Sequence, residues 1–299
     1  MKERWYILGA GSIGNLWACN LISAGYPVTL ILRNSAKLSR FEANLGIQLA
    51  NQLHSCEAEL SSDSSLIQKL FITTKSTDTQ TAFNSIKHRL ADDAHVVVLQ
   101  NGMGSQQWIT DQLPNAEVAW ASTTDGAWLE SEFTVVHAGK GVTRIGSPDK
   151  ALDWLDQLNC GFLDLQPDPE IATTLWRKLA INCAINPLTA IFGCKNGELV
   201  SNPNYLNEMV LICNEVEKVA NALNLELFDG PLIDHACQVA ELTANNFSSM
   251  NQDVKHGRIT EINQITGYLC EQAEKLDIKV DINMYYLEKI RELHPHSDA

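Results

Sequence analysis

Basic residues are scarce in this 299-residue chain: 22 Lys and Arg stand against 36 Asp and Glu, a formal net charge of −14. That balance supplies no cationic field for a nucleic-acid backbone or an anionic membrane, so neither is an expected partner. It still allows one local basic site for a phosphorylated ligand. Long apolar runs are missing as well. No basic stretch near the N-terminus leads into an extended hydrophobic one, which argues against a secretory signal or a membrane span. The eight cysteines, Cys19, Cys56, Cys160, Cys183, Cys194, Cys213, Cys237 and Cys270, include no Cys-x-x-Cys pair. Several fall within apolar periodicities and read as small core residues in a reducing compartment. His294 and His296 have a metal-like spacing but no accompanying carboxylates or thiolates, so they read as a solvated tail and no metal site is expected. Repeats and low-complexity tracts are absent. What remains is a cytoplasmic globular protein, 45% apolar and 19% charged, long enough for two domains.

Among the features present, the N-terminal pattern comes first. Trp5-Tyr6-Ile7-Leu8 runs into Gly9-Ala10-Gly11-Ser12-Ile13-Gly14. A helical periodicity through Leu16, Cys19, Leu21 and Ile22 then stops at Gly25, and Pro27–Leu32 reads as a second strand. Strand, glycine loop, helix and strand in that order form a dinucleotide-binding fingerprint. Gly9 permits the turn, Gly11 admits the pyrophosphate, and Gly14 lets the helix pack closely on the strand. The second strand ends in Arg33, followed by Asn34, Ser35, Lys37 and Arg40, where an NAD-binding unit carries an acid. A cation there pairs with a 2′-phosphate, which favours NADP.

Further strands are expected at Leu70–Thr74, ending at Lys75, and at Val96–Leu99, ending at Gln100-Asn101-Gly102-Met103-Gly104, with a helix through Thr81, Phe83, Ile86 and Leu90 between them. In an open parallel sheet ligands gather beyond the carboxyl ends of strands, so Lys75 and Asn101 can reach cofactor or substrate; each can equally be a turn residue. Glu117–Thr124 reads as another strand. Phe133–Ala138 and Val142–Ile145, joined by Gly139-Lys140-Gly141, read as a β-hairpin. From about residue 168 the pattern turns helical throughout. The expected architecture is therefore α/β: a Rossmann-type dinucleotide-binding domain over 1–167 and an all-helical C-terminal domain over 168–299.

The most informative helical stretch is Leu175–Ala190. Lys178, Asn182 and Asn186 recur at four-residue spacing and share one face of an otherwise apolar helix. A polar stripe one residue wide suits a substrate-facing cleft better than open water. Pro187 is expected to kink or end the helix beside it. Downstream, Pro203 opens a helix after Asn202, and Ser249 stands at capping-box spacing from Gln252. Thr260-Glu261 opens a further helix, and Asp281 caps the last one, Ile282–Leu293.

These residues together resemble the ketopantoate reductase (2-dehydropantoate 2-reductase) family. The resemblance is carried by the glycine loop with Arg33, by Lys75, and by Gln100–Gly104. Its most specific parts are Trp176-Arg177-Lys178-Leu179, Asn182, Asn186–Ala190 and Asn196-Gly197-Glu198-Leu199, together with Ser248-Ser249-Met250, Gln252-Asp253 and Thr260-Glu261-Ile262. It implies NADPH-dependent reduction of 2-dehydropantoate to (R)-pantoate, a step of pantothenate and coenzyme A biosynthesis. The two-domain architecture itself leads one to expect the active site in the cleft between domains, with closure on binding as a hypothesis. The resemblance implies Lys178 as general acid. Asn101, Asn182, Asn186 and Ser249 are implied as substrate ligands; Asn196 falls inside a family motif and is implied with them, although before Gly197 it reads as a turn residue first. Glu261 is implied to hold the substrate or the catalytic geometry, although an acid there also suits a helix N-terminus. Ser249 can likewise be a plain helix cap. Gly9, Ala10, Gly11, Ser12, Ile13, Gly14, Arg33 and Lys75 are implied to hold NADPH, with Asn101 and Glu261 adjoining it.

The sequence departs from the family at Asp125, where a histidine is common, and at Asn263, Gln264 and Thr266, where an aspartate, an aromatic and an asparagine are usual. Two other functions stay open on the sequence: a reductase of another small 2-keto acid, and an NADP(H) sensor without turnover. The implied small-molecule enzyme is a monomer or a homodimer.

Overall fold

The computed structural model describes residues 2–158 and 161–293; Cys160, His294 and His296 lie outside the described residues. By its internal contacts the chain divides into two compact units. One is Met1–Gln100 with Ser105–Ala172, the other Asn101–Gly104 with Thr173–Ala299. The contact boundary thus falls at Ala172–Thr173 rather than at 167, and a short piece of the first half clusters with the second.

In the first unit Trp5–Leu8 (β1) is buried at every position, as is Val28–Leu32 (β2). Continuous apolar runs of this kind belong to parallel strands covered on both faces. Between them lies Ser12–Ser23 (α1), and after them Ser35–Asn44 (α2). Three short strands follow: Ile47–Leu49 (β3), Gln52–His54 (β4) and Glu57–Leu60 (β5). They carry no strand signal in the sequence, because each is brief and polar at alternate positions and owes its pairing to neighbours. Ile67–Ile72 (β6), Thr79–Ile86 (α3), Leu90–Leu99 (β7), Ser105–Gln112 (α4) and Glu117–Thr123 (β8) complete the alternating part. Helix α3 stops at Ile86, a 3-10 turn covers Lys87–Arg89, and Leu90 belongs to the strand, not to the helix as expected. Gly126–Ser131 (β9), Thr134–Gly139 (β10), Val142–Gly146 (β11) and Asp164–Pro167 (β12) close the unit.

The main sheet has the order β12-β11-β8-β7-β6-β1-β2-β5. From β8 to β5 all pairings are parallel, so the carboxyl ends of β1, β2, β6 and β7 lie along one edge. Trp17 stacks on Phe71 at 4.9 Å, and Trp5 meets the same ring at 5.0 Å, filling the core behind the glycine loop. The expected hairpin of 133–138 with 142–145 does not form. Strand β10 pairs with β9 and β3 in a separate four-stranded sheet, while β11 pairs with β8 and β12. The residue that separates them is buried Asp125, whose carboxylate accepts from His137 at 2.8 Å, the Gly141 amide at 3.0 Å and Thr123 at 3.0 Å. That departure from the family is thus an internal tie between the two sheets.

The second unit is helical: Ile171–Phe192 (α5), Glu198–Ser201 (α6), Pro203–Ala222 (α7), Leu232–Leu242 (α8), Ser249–Lys255 (α9), Tyr268–Lys275 (α10) and Asp281–Leu293 (α11). Helix α5 starts two residues before the contact boundary and runs on past Pro187 to Phe192. Cys183, Ala184, Ile185, Leu188, Thr189 and Ala190 around the proline are all buried. Tertiary packing therefore outweighs the local cost of about 3 kcal/mol that was expected to end the helix. The last helix is capped from a distance as well. It begins at Asp281, and its Ile282 and Asn283 amides donate to the carboxylate of Glu215 on α7, at 3.0 and 2.9 Å, so Glu215 takes the role expected of Asp281. Asn202 does cap α7, accepting from the Asn204 amide at 3.0 Å. Among the described residues no helix is long and apolar enough to cross a membrane.

Candidate active-site residues in the two units

Around the glycine loop of the first unit, backbone fills two sides and leaves the third open. Gly9 has φ +112°, and a Cβ on it would meet the Thr74 amide at 2.5 Å; one on Gly14 would lie 2.0 Å from the Gly9 carbonyl. These two positions accept nothing larger than hydrogen. A Cβ on Gly11 would meet nothing within 4 Å, and no side chain caps α1. An unobstructed helix N-terminus beside a glycine whose side-chain space is empty fits a pyrophosphate. Ala10 is buried, while Ser12 and Ile13 are half-buried on the first turn.

The ends of β2 and β6 flank this loop. Arg33 directly follows β2; its side chain is 76% exposed and pairs with Asp78 at 3.0 Å. One turn on, Lys37 is half-buried, 3.4 Å from the Ala10 carbonyl and 3.9 Å from Glu132. Burial pushes its ammonium below the usual lysine range, and Glu132 opposes that shift. Lys75 is exposed, at the head of a 3-10 turn over Ser76–Asp78. Its loop is locked by Gln100, a buried side chain whose Nε2 donates to the Thr74 carbonyl and hydroxyl at 2.8 Å each. Gln100 has no role assigned from sequence alone. The usable signal was an amide placed inside an apolar strand end, where burial demands partners.

In the second unit the polar stripe of α5 goes progressively inward. Lys178 and Asn182 are half-buried, and Asn186 is 7% exposed. Burial pushes the Lys178 ammonium from 10.5 down to about 8, and the carboxylate of Glu261 acts against this by holding the charge. Lys178 and Glu261, 83 positions apart in sequence, are thus electrostatic neighbours only through the fold. Glu261 stands where a helix was expected to open, but the first turn is a π-turn, Asn263–Gly267, with the Gly267 amide reaching the Ile262 carbonyl at 3.0 Å. Such turns are uncommon and recur at functional sites.

The π-turn also anchors Asn101–Gly104. The Met103 amide donates to the Gln264 carbonyl at 2.8 Å. Gly102 has φ +77°, and a Cβ there would come within 2.6 Å of the same oxygen. This is why Asn101, although it follows β7, clusters with the helical unit. Of the other departures from the family, Asn263 accepts from Arg291 at 2.8 Å and Thr266 lies buried beside the Cys183 thiol, so both serve packing of the unit.

Ser249 is exposed and is the first residue of α9; the cap is Ser248, not Ser249 as the capping-box spacing suggested. The Ser248 hydroxyl accepts from the Asn251 amide at 3.0 Å and bonds Thr189 at 2.7 Å. Asn251, inconspicuous in the sequence, donates to the Thr189 carbonyl at 2.6 Å. This buried cluster ties the Ser248–Ser249 turn to the turn of α5 that follows Asn186. Asn196 is held elsewhere: its Nδ2 donates to Thr243 at 2.9 Å and its amide to the Asn246 carbonyl at 3.0 Å, the bonding of a turn residue.

Gly9–Gly14, Arg33 and Lys75 therefore all belong to the first unit. Asn101, Lys178, Asn182, Asn186, Asn196, Ser249 and Glu261 belong to the second. Among the described residues no cluster of His, Cys, Asp and Glu could hold a metal ion.

Residues 5–150 match the family model described as "Ketopantoate reductase PanE/ApbA", and residues 170–294 match "Ketopantoate reductase PanE/ApbA C terminal". A 2-dehydropantoate 2-reductase of Vibrio cholerae serotype O1 is 35% identical over 292 residues, covering 96% of each chain. The enzyme of that name from Escherichia coli O157:H7 is 31% identical over 296 residues, covering 95% of this chain and 93% of its own. Among solved structures, a PanE/ApbA family ketopantoate reductase from Ralstonia eutropha JMP134 superposes with a TM-score of 0.90 at 26% identity, covering 99% of this chain and 100% of that one. With family models spanning both units and relatives matched almost end to end, the chain belongs to the ketopantoate reductase family.

Proposed function

We propose that this chain reduces 2-dehydropantoate to (R)-pantoate with NADPH, the reduction that supplies pantoate for pantothenate and coenzyme A biosynthesis. The observation that carries the reading is Lys178: an ammonium brought to about 8 by burial, opposed by Glu261, on the helix face shared with Asn182 and Asn186. A lysine at that value is mostly protonated at neutral pH yet gives up its proton far more readily than one at 10.5. In a family of reductases such a group suits a proton donor to a carbonyl oxygen.

The bound dinucleotide supplies a hydride to the keto carbon. As the C=O π bond breaks, negative charge gathers on oxygen, where the Lys178 ammonium hydrogen-bonds and then delivers its proton. This interaction strengthens towards the transition state, so it lowers the barrier rather than merely holding substrate. The neutral amine regains a proton from solvent, and Glu261 favours its recharging. Asn182, Asn186, Asn101 and Ser249 offer amide and hydroxyl groups to the substrate's hydroxyl and carboxylate. Towards the cofactor, the empty space at Gly11 and the uncapped N-terminus of α1 take the pyrophosphate, Arg33 the 2′-phosphate, and Lys75 the side nearer the nicotinamide ribose.

The test is NADPH oxidation with ketopantoate, with NADH, other 2-keto acids and Lys178→Ala in parallel. Turnover with ketopantoate, a preference for NADPH, and a kcat lowered by roughly 100-fold or more in the variant are expected. Reduction of a different keto acid with ketopantoate inert would move the substrate. Tight NADPH binding without turnover on any acid would overturn the reading.

A further inference from the structure

Arg33 already has an anionic partner: its Nη2 donates to the Asp78 carboxylate at 3.0 Å. The strand order β6-β1-β2 sets β1 between the strands that lead to these two residues. The pair therefore joins the two strand ends that flank the carboxyl end of β1, where the glycine loop begins. Asp78 is also not used as a helix cap. It stands at the N-cap of α3, a position where aspartate commonly caps, but its backbone is held at φ −97°, ψ −6° by the preceding 3-10 turn and its side chain makes no cap bond. The carboxylate is left to face Arg33. Both side chains are well exposed, 76% and 48%, so the pair is weak and exchangeable.

We propose that Asp78 is a specificity-determining residue of the dinucleotide site, its carboxylate competing with the cofactor's 2′-phosphate for Arg33 and so limiting the preference for NADPH over NADH. The inference rests on the NADPH reading above. A 2′-phosphate brings nearly two negative charges to Arg33 and must take that guanidinium from Asp78 while lying close to the carboxylate. NADH presents a neutral 2′-hydroxyl instead, which can donate to a carboxylate. NAD-binding units use an acid in this way at the end of the second strand. Here the acid comes from the segment after β6, and the cation occupies the usual acidic position. Removing the charge of Asp78 should therefore act on the two cofactors in opposite senses.

The experiment measures dissociation constants of the protein without turnover, by fluorescence titration with NADPH and NADH and by calorimetry with 2′,5′-ADP, which carries the same phosphate. Asp78→Asn keeps shape and removes charge; Asp78→Ser is a second, smaller neutral replacement. For both, NADPH and 2′,5′-ADP should bind about two- to fivefold tighter, the range that an exposed pair spans, with NADH unchanged or weaker. Arg33→Ala, run beside them, should weaken NADPH and 2′,5′-ADP and leave NADH nearly unaffected. If Arg33→Ala behaves so while neither Asp78 variant tightens NADPH, the inference fails and the NADPH reading stands. If Arg33→Ala leaves the ratio of NADPH to NADH affinity unchanged, the reading of Arg33 fails and takes the inference with it.

Discussion

Lys178→Met separates the proposed catalytic value of this lysine from its structural cost. Methionine approximates the unbranched stem without the charge. A fall from 10.5 to about 8 corresponds to about 3 kcal/mol that the folded protein forgoes by keeping the group charged. The sign follows from proton counts. Between about 8 and 10.5 the unfolded chain holds the proton and the folded one has released it, so stability of the wild type rises with pH across that window. Below it the cost is present in full; above it the cost is gone. The attraction of Glu261 is already contained in the value of about 8, because it opposes the fall. Urea unfolding of both proteins without cofactor, from pH 6.5 to 11, reads the difference directly. Lys178→Met should be the more stable by up to about 3 kcal/mol near pH 7, with the gap closing towards pH 10.5. The same variant should lose roughly 100- to 10,000-fold in kcat. A variant less stable than wild type at pH 7, or a gap that does not change with pH, would refute the reasoning.

Three further perturbations follow from the geometry. Glu261→Gln removes the group that holds the Lys178 charge, so the alkaline limb of the kcat profile should move to lower pH, and an unmoved limb would exclude their coupling. Gly14→Ala puts a methyl 2.0 Å from the Gly9 carbonyl and should destabilise the fold by about 1–3 kcal/mol; Gly11→Ala meets no neighbour and should leave the melting temperature unchanged while weakening dinucleotide binding in titration. Asn251→Ala strips the buried Thr189 carbonyl of a donor at 2.6 Å. It should cost about 1–3 kcal/mol in denaturant unfolding and raise KM for the keto acid more than it lowers kcat, because it loosens the turn that carries Ser249.

Parts of the fold that depend on near neighbours in sequence are legible in the sequence. The apolar runs of β1 and β2, the glycine loop between them and the four-residue spacing of Lys178, Asn182 and Asn186 are local periodicities, and the structure keeps each one. The errors came where a distant partner decides. Strands β10 and β11 are separated by a glycine-rich turn and look like a hairpin, but Asp125 and the edges of two different sheets divide them. Pro187 reads as a helix end, but packing on all sides carries α5 through it. Ser249 fits a capping spacing, but the hydroxyl of Thr189 selects Ser248.

By itself, then, the sequence determined the dinucleotide-binding unit, the helical second half, the basic residue after β2 and the polar face of α5. Each is encoded by side chains within one or two turns, or within one strand, of each other. Only the tertiary structure decided that Asn101–Gly104 docks on the π-turn after Glu261 and that Glu215 caps the last helix. Only it set Asp78 against Arg33 and brought Lys178 down to about 8. Those outcomes depend on burial and on charges contributed by segments far apart in the chain, and no local pattern carries the distance between them.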